Sequence, residues 1–192
     1  VSKKMTEIRW HGRGGQGAKT AALLLAEAAI DVGKYAQAFP EYGPERTGAP
    51  VRAFTRIADA PIRLHSPIEN PDTVVVLDPT LLDVVDVTEG LPSGGVVIIN
   101  TSASKQEMAA KLRQQDQLRL YVIDATKLAL ETIGRPIPNT VMLGALVGAT
   151  EVLPFDVLVE DLRDKFSKKF SPSIAEMNVE AVKRAYEEVK KA

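Results

Sequence analysis

The chain has 192 residues, enough for one sizeable domain and short for two. Lys plus Arg number 24 and Asp plus Glu 25, a balance that gives no electrostatic reason to expect nucleic acid or an anionic membrane as a partner. There is no cysteine, which excludes disulfides, a thiolate nucleophile and thiolate ligation of an iron–sulfur cluster by this chain alone.

With only His11 and His65, a histidine-rich metal site is not expected, and no catalytic residue is assigned to this chain. No uncharged apolar run approaches the ~18 residues of a membrane span. The basic start, Val1-Ser2-Lys3-Lys4-Met5, leads into Glu7, Arg9 and His11 without the apolar stretch of a signal peptide. The expected location is cytoplasmic.

In chain order, Glu7–Trp10 reads as a short strand that ends in His11 and the segment Gly12-Arg13-Gly14-Gly15-Gln16-Gly17. An Ala- and Leu-rich helix follows from Ala18 to Val32, stopped by Gly33, and Tyr35–Phe39 returns as a second strand, a β-α-β opening. The segment Pro40–Pro50 is polar and holds three prolines and two glycines, so it is a loop. Val51–Ile57 alternates, and Pro61–Leu64 behind Ala58-Asp59-Ala60 suggests its antiparallel hairpin partner. Thr73–Leu77 and Gly95–Ile99 are apolar on both faces, as strands at the centre of a parallel sheet are.

Lys105–Arg113 reads as a helix and Leu118–Ile123 as a strand. Helices follow over Lys127–Ile133, Thr140–Val152, Phe155–Phe166 and Ser173–Lys190. In the last, Ile174, Met177, Ala181, Ala185 and Val189 fall on one face, expected to be core. The pattern predicts one domain over 1–192, a three-layer α/β/α sandwich with a mostly parallel sheet and an antiparallel hairpin. Asp78 and Asp124, at strand ends, are expected to cap turns or helices.

Gly12–Gly17 satisfies G-x-G-x-x-G between a strand and a helix. Side-chain-free residues let backbone curl around an anion, and the helix start presents unpaired N–H groups; Arg13 adds a charge able to meet phosphate or carboxylate. A dinucleotide site also needs an acid about 20 residues on, and the second strand offers none before Glu41. A Walker A loop needs Lys directly after its second glycine; here Ala18 intervenes before Lys19-Thr20. A phosphate-bearing ligand, an active-site face or a merely tight β–α turn all remain open on these residues. The loop Glu41-Tyr42-Gly43-Pro44-Glu45-Arg46-Thr47-Gly48-Ala49-Pro50 sits at the same sheet edge, where ligands bind in open α/β folds, and its Tyr and Arg suit an interface equally well. His11, beside the glycines, reads as structural with a ligand contact open.

Four segments in order carry a resemblance: Gly12–Gly17 with Ala18, Phe39-Pro40-Glu41-Tyr42-Gly43, Glu45–Pro50, and Pro138-Asn139-Thr140-Val141-Met142-Leu143-Gly144-Ala145. Together they resemble the γ subunit of the pyruvate (2-oxoacid):ferredoxin oxidoreductases, from about Glu7 to Val189. That resemblance implies a CoA-dependent oxidative decarboxylation of a 2-oxoacid to acyl-CoA and CO2, with electrons passing to ferredoxin. It implies thiamine diphosphate, Mg and iron–sulfur clusters on partner α, β and δ (ferredoxin-like) chains, and none of these on this chain alone. It also implies Gly12, Arg13, Gly14, Gly15, Gln16, Gly17, Asn139 and Thr140 as a face toward coenzyme A, and Tyr42, Glu45, Arg46 and Thr47 as interface. The competing readings are a stand-alone nucleotide-binding Rossmann-like module and a purely structural scaffold subunit.

Overall fold

In the computed structural model, which describes residues 5–41, 48–112 and 117–192, all strands join one sheet. They are β1 (Met5–Arg13), β2 (Tyr35–Pro40), β3 (Pro50–Ala58), β4 (Thr73–Val76), β5 (Val96–Asn100) and β6 (Arg119–Ile123), in the order β2-β3-β1-β4-β5-β6. β1, β4, β5 and β6 pair in parallel, whereas β3 pairs antiparallel with both β1 and β2, so β3 alone runs against the rest. The helices are α1 (Ala18–Asp31), α2 (Lys105–Lys111), α3 (Ala125–Ile133), α4 (Pro138–Thr150), α5 (Phe155–Lys169) and α6 (Pro172–Lys191).

The antiparallel hairpin exists, but its second arm is not Pro61–Leu64. β3 pairs instead with β2, Tyr35 facing Ala58 and Pro40 facing Ala53, so the Pro-rich loop is the hairpin connection. β3 also slips between β2 and β1, so the opening β-α-β unit crosses over a strand. Residues 59–72 hold Pro61, Pro67 and Pro71, which cannot donate to a ladder, and lie as an irregular strap. Side chains grip that strap instead: Gln37 Nε2 donates to the Ile62 carbonyl and Arg56 Nη2 to those of Ser66 and Pro67. Arg56 is almost wholly buried and is neutralised by Glu7, 2.9 Å away.

The two faces of the sheet are unequal. Ile8, Trp10, Val75, Leu77 and Ile98 point into a large core closed by α1 and α3–α6, whereas Val74, Val76, Val97 and Ile99 meet a smaller one under α2. Trp10 Nε1 donates to Thr55 Oγ1 at 3.1 Å, and that hydroxyl donates onward to the Ala22 carbonyl, which ties β1, β3 and α1 together without an orphaned polar group. Every residue of α4 from Pro138 to Ala149 is buried, as expected for a helix apolar all round.

α6 crosses α4 so closely that a Cβ at Gly144 would lie 2.1 Å from the Val182 carbonyl oxygen. That approach favours small residues on α6, which is why its buried face is Ala175, Val179, Ala181, Val182, Ala185 and Val189. Ile174 and Met177, expected in the core with Ala181, are 40% and 37% exposed. Among the described residues no helix is long and apolar enough to cross a membrane.

Candidate functional site

β1 runs further than its apolar stretch. His11, Gly12 and Arg13 still pair with Arg52, Val51 and Pro50, so the chain leaves the sheet only at Gly14. Gly17 then caps α1 at φ 81° and ψ 25°, the left-handed region that a side chain disfavours. A Cβ there would also lie 2.4 Å from Nδ2 of Asn139. Asn139 begins the buried helix α4, is 6% exposed, and reaches the Gly17 carbonyl with Nδ2 at 3.4 Å. Its Oδ1 has no hydrogen-bond partner among the described residues. Thr140 is buried beside it. The glycine motif and the Pro138-Asn139-Thr140 motif, far apart in sequence, are therefore one local structure.

The second loop joins them where it is described. Gly14 N donates to the Ala49 carbonyl at 2.9 Å and Gly48 N to the Gly14 carbonyl at 3.2 Å, clasping the two loops together. Tyr42, Glu45, Arg46 and Thr47 lie outside the described residues.

Arg13 points away from the helix start. Its guanidinium donates to Thr80 Oγ1 and the Gly48 carbonyl and lies 3.3 Å from Asp78 Oδ2. Gln16 accepts from Arg13 N with Oε1 and donates to Asp78 with Nε2. Asp78 also accepts from Thr80, capping the 3-10 turn Pro79–Asp83 as expected, while Asp124 caps α3 through Lys127 N. Burial pushes the Asp78 carboxyl up, but the hydrogen bonds from Thr80 and Gln16 and the charge of Arg13 together hold it below its ordinary value. Arg13, Gln16 and Asp78 thus form a buttress under the glycine turn.

Above that buttress lies a cleft of about 510 Å³, bounded by Gly14, Gly17–Thr20, Pro40, Glu41 and Arg52. The Gly17 carbonyl already accepts from Ala21 N, so the N–H groups of Ala18, Lys19 and Thr20 have no acceptor within the helix. The first turn of α1 carries no acid. Lys19, despite its one-residue offset from a Walker lysine, lines the cleft and forms no ion pair among the described residues. Arg52 lies directly opposite His11 in the β1–β3 register, so its side chain leaves the sheet on the face away from α1, where Nε and Nη2 pair, both at 2.5 Å, with the two oxygens of Glu41. The arrangement is built for an anion: helix-terminal donors without an acceptor within the helix and a flexible ammonium.

His11 faces the other side of β1, away from this cleft. It is 4% exposed, and its Nε2 accepts from Arg9 Nε at 3.1 Å. Burial, then the charges of Arg9 and Arg52, push its pKa down to about 3, so it is a neutral structural acceptor.

Lys19, Arg52, Asp78 and Thr80 were not among the residues that sequence reasoning placed at the site. The alternation of Val51, Ala53 and Thr55 puts the Arg52 side chain on the opposite face of β3, beside His11. That placement was unreadable while β3 was paired with Pro61–Leu64 rather than with β1 and β2. Among the described residues no cluster of His, Asp or Glu is arranged to hold a metal.

Residues 7–188 match the family model described as pyruvate ferredoxin/flavodoxin oxidoreductase. The pyruvate synthase subunit PorC of Thermotoga maritima is 50% identical over 190 residues, covering 99% of this chain and 97% of that protein. The common γ subunit of the pyruvate/ketoisovalerate oxidoreductases of Pyrococcus furiosus is 52% identical over 183 residues, covering 95% and 96%. The crystal structure of the Thermotoga maritima pyruvate oxidoreductase subunit PorC superposes with a TM-score of 0.84 at 46% identity, covering 96% of this chain and 97% of that one.

Proposed function

Because the chain belongs to the pyruvate ferredoxin/flavodoxin oxidoreductase family, we propose that its glycine-loop cleft receives the phosphate-bearing end of coenzyme A within the assembled enzyme. The chain is a γ-type subunit of a 2-oxoacid:ferredoxin oxidoreductase, as its motifs implied, and is not a stand-alone nucleotide-binding module. The observation that carries the ligand reading is the cleft itself, lined by the start of α1, where the N–H groups of Ala18, Lys19 and Thr20 have no acceptor within the helix, and by the Lys19 ammonium. Coenzyme A is the phosphate-bearing substrate of the implied reaction. Binding it by its phosphates turns delivery of its thiol into an oriented, effectively unimolecular step.

The rest of the chemistry belongs to partner chains. With no cysteine this chain supplies no thiolate for an iron–sulfur cluster. Decarboxylation of a 2-oxoacid leaves a carbanion that thiamine diphosphate, when bound on a partner, stabilises. We take the α, β and δ chains as those partners and ferredoxin as the final acceptor, with Tyr42, Glu45, Arg46 and Thr47 at the interface. Pyruvate is the preferred 2-oxoacid. The Pyrococcus furiosus relative is named as common to pyruvate and ketoisovalerate enzymes, which supports substrate choice residing on other chains.

Reconstitution tests this division of labour. Purified alone, the chain is expected to be colourless and to reduce no acceptor with pyruvate and CoA; adding it to its α, β and δ partners restores CoA-dependent turnover. Acceptor reduction by the lone chain, or full CoA-dependent activity without it, overturns the reading.

A further inference from the structure

We propose that β2 is a docking edge for a second copy of this chain: two β2 strands pair antiparallel about a two-fold axis through Gln37 and join the two sheets into one. The pairing does not depend on what the glycine-loop cleft binds.

β2 stands at the end of the strand order, with β3 on one side and no strand on the other. Glu41 N donates to the carbonyl of Arg52, one step beyond the Pro40–Ala53 pair, and this sets the phase of the antiparallel ladder. Tyr35, Gln37 and Phe39 therefore bond to β3, whereas the N–H and C=O groups of Ala36 and Ala38 and the carbonyl of Pro40 point outward. Among the described residues no backbone group pairs with those outward groups. Sheet edges are ordinarily guarded by charge, by a bulge or by a covering segment. Tyr35–Pro40 carries no charge, its register with β3 skips no residue, and Tyr35 is 48% exposed.

The outward groups fit a copy of themselves in one register. Ala36 opposite the partner's Ala38, and Ala38 opposite the partner's Ala36, each exchange both N–H···O=C bonds and leave Gln37 facing its own image. Slipping by two residues either way would need a donor from Pro40, which has none, or from Lys34 N, which already donates to the Ala29 carbonyl. The side chains agree with that register. Ala36 and Ala38 pack toward the core under α1, so Tyr35, Gln37 and Phe39 share the opposite face. Tyr35 then stands opposite the partner's Phe39, an aromatic cross-strand pair made twice, and the two Gln37 amides meet on the axis with a donor and an acceptor each. Phe39 is held for this contact by Phe54, with ring centroids 5.2 Å apart, and borders a recess of about 640 Å³ with Leu64 and Pro67.

Disulfide cross-linking of the full chain tests the register. The chain has no cysteine, so Gln37→Cys introduces its one thiol. On the axis that thiol faces its own copy in a non-hydrogen-bonded pair, where Cα atoms about 4.5 Å apart are within disulfide reach. Mild oxidation should link the chain into dimers about tenfold faster than it links Val84→Cys, a position that is exposed but remote from β2. Tyr35→Lys removes both aromatic pairs and charges the edge, and should raise the dimer dissociation constant measured by sedimentation about tenfold. Ala38→Pro removes an outward donor but none from the β3 ladder, and should act in the same direction. Cross-linking of Gln37→Cys no faster than that of Val84→Cys overturns the proposal, as does sedimentation in which wild type and Tyr35→Lys behave alike. In the assembled enzyme, a short bifunctional thiol reagent that joins Gln37→Cys to a different subunit rather than to its own copy also overturns it.

Discussion

Gly17→Ala is expected to cut the assembled enzyme's catalytic efficiency with CoA by about 100-fold, the scale of an ångström-sized misplacement in a binding site. Two independent effects act at this position. The residue sits at φ 81°, where a Cβ costs about 1–2 kcal/mol. That Cβ would also stand 2.4 Å from the Asn139 amide nitrogen. Asn139 cannot swing into solvent to make room, because it is 6% exposed at the head of a helix with every residue to Ala149 buried. The start of α1 must move instead, and with it the three N–H groups that line the cleft.

Urea unfolding of the chain reads the stability loss, and CoA titration of the assembled enzyme reads the displaced donors. Asn139→Ala in the same chain removes the collision but not the backbone strain. The double variant should recover part of both losses, a non-additivity expected only for residues in contact. A Gly17→Ala enzyme with wild-type CoA kinetics would show that the cleft does not depend on this turn.

The second large effect is on acid stability. His11 titrates at about 3 in the folded chain against 6.5 in an unfolded one, so between those values the unfolded state binds the extra proton. Its contribution is fully present above about pH 6.5 and is lost as the pH falls toward 3, with a slope approaching ~1.4 kcal/mol per unit. Arg9 and Arg52 oppose protonation, and Glu41, Asp86 and Glu89 face the same recess. Asp161, pushed up to about 6 mainly by burial, adds a slope of opposite sign as the pH rises. The difference between wild type and His11→Gln isolates the imidazole, since Gln keeps an acceptor for Arg9 Nε without a proton to gain. Wild type should lose stability faster than His11→Gln as the pH drops from 6 to 4. Parallel curves would mean that His11 is not held neutral by burial.

The sequence made most of the fold legible because its elements carry their own period. The all-apolar runs at Val74–Val76 and Val96–Ile99 pair as central parallel strands, and the Ala- and Leu-rich run after Gly17 is α1. Two features depended on long-range geometry that spacing does not contain. β3 pairs with β2 and β1 rather than with the nearer segment Pro61–Leu64, whose prolines lack donors for a ladder. On α6, two stripes compete, and the close crossing at Gly144 selects the small one over Ile174 and Met177.

The site was partly legible for the same reason. The glycine turn has a motif, and Asn139 was found through resemblance. Lys19 is an ordinary helix residue until tertiary structure sets it on the wall of the cleft.

The central claim is that the start of α1 holds the anionic end of coenzyme A, and the steady-state KM for CoA of an assembled Lys19→Glu enzyme tests it most directly. Lys19 is exposed on the cleft wall and makes no ion pair among the described residues, so reversing its charge leaves the fold intact. The KM for CoA is expected to rise by about tenfold, the worth of one charge-assisted contact, with the KM for pyruvate unchanged. An unchanged KM for CoA, or a rise confined to pyruvate, would contradict the account.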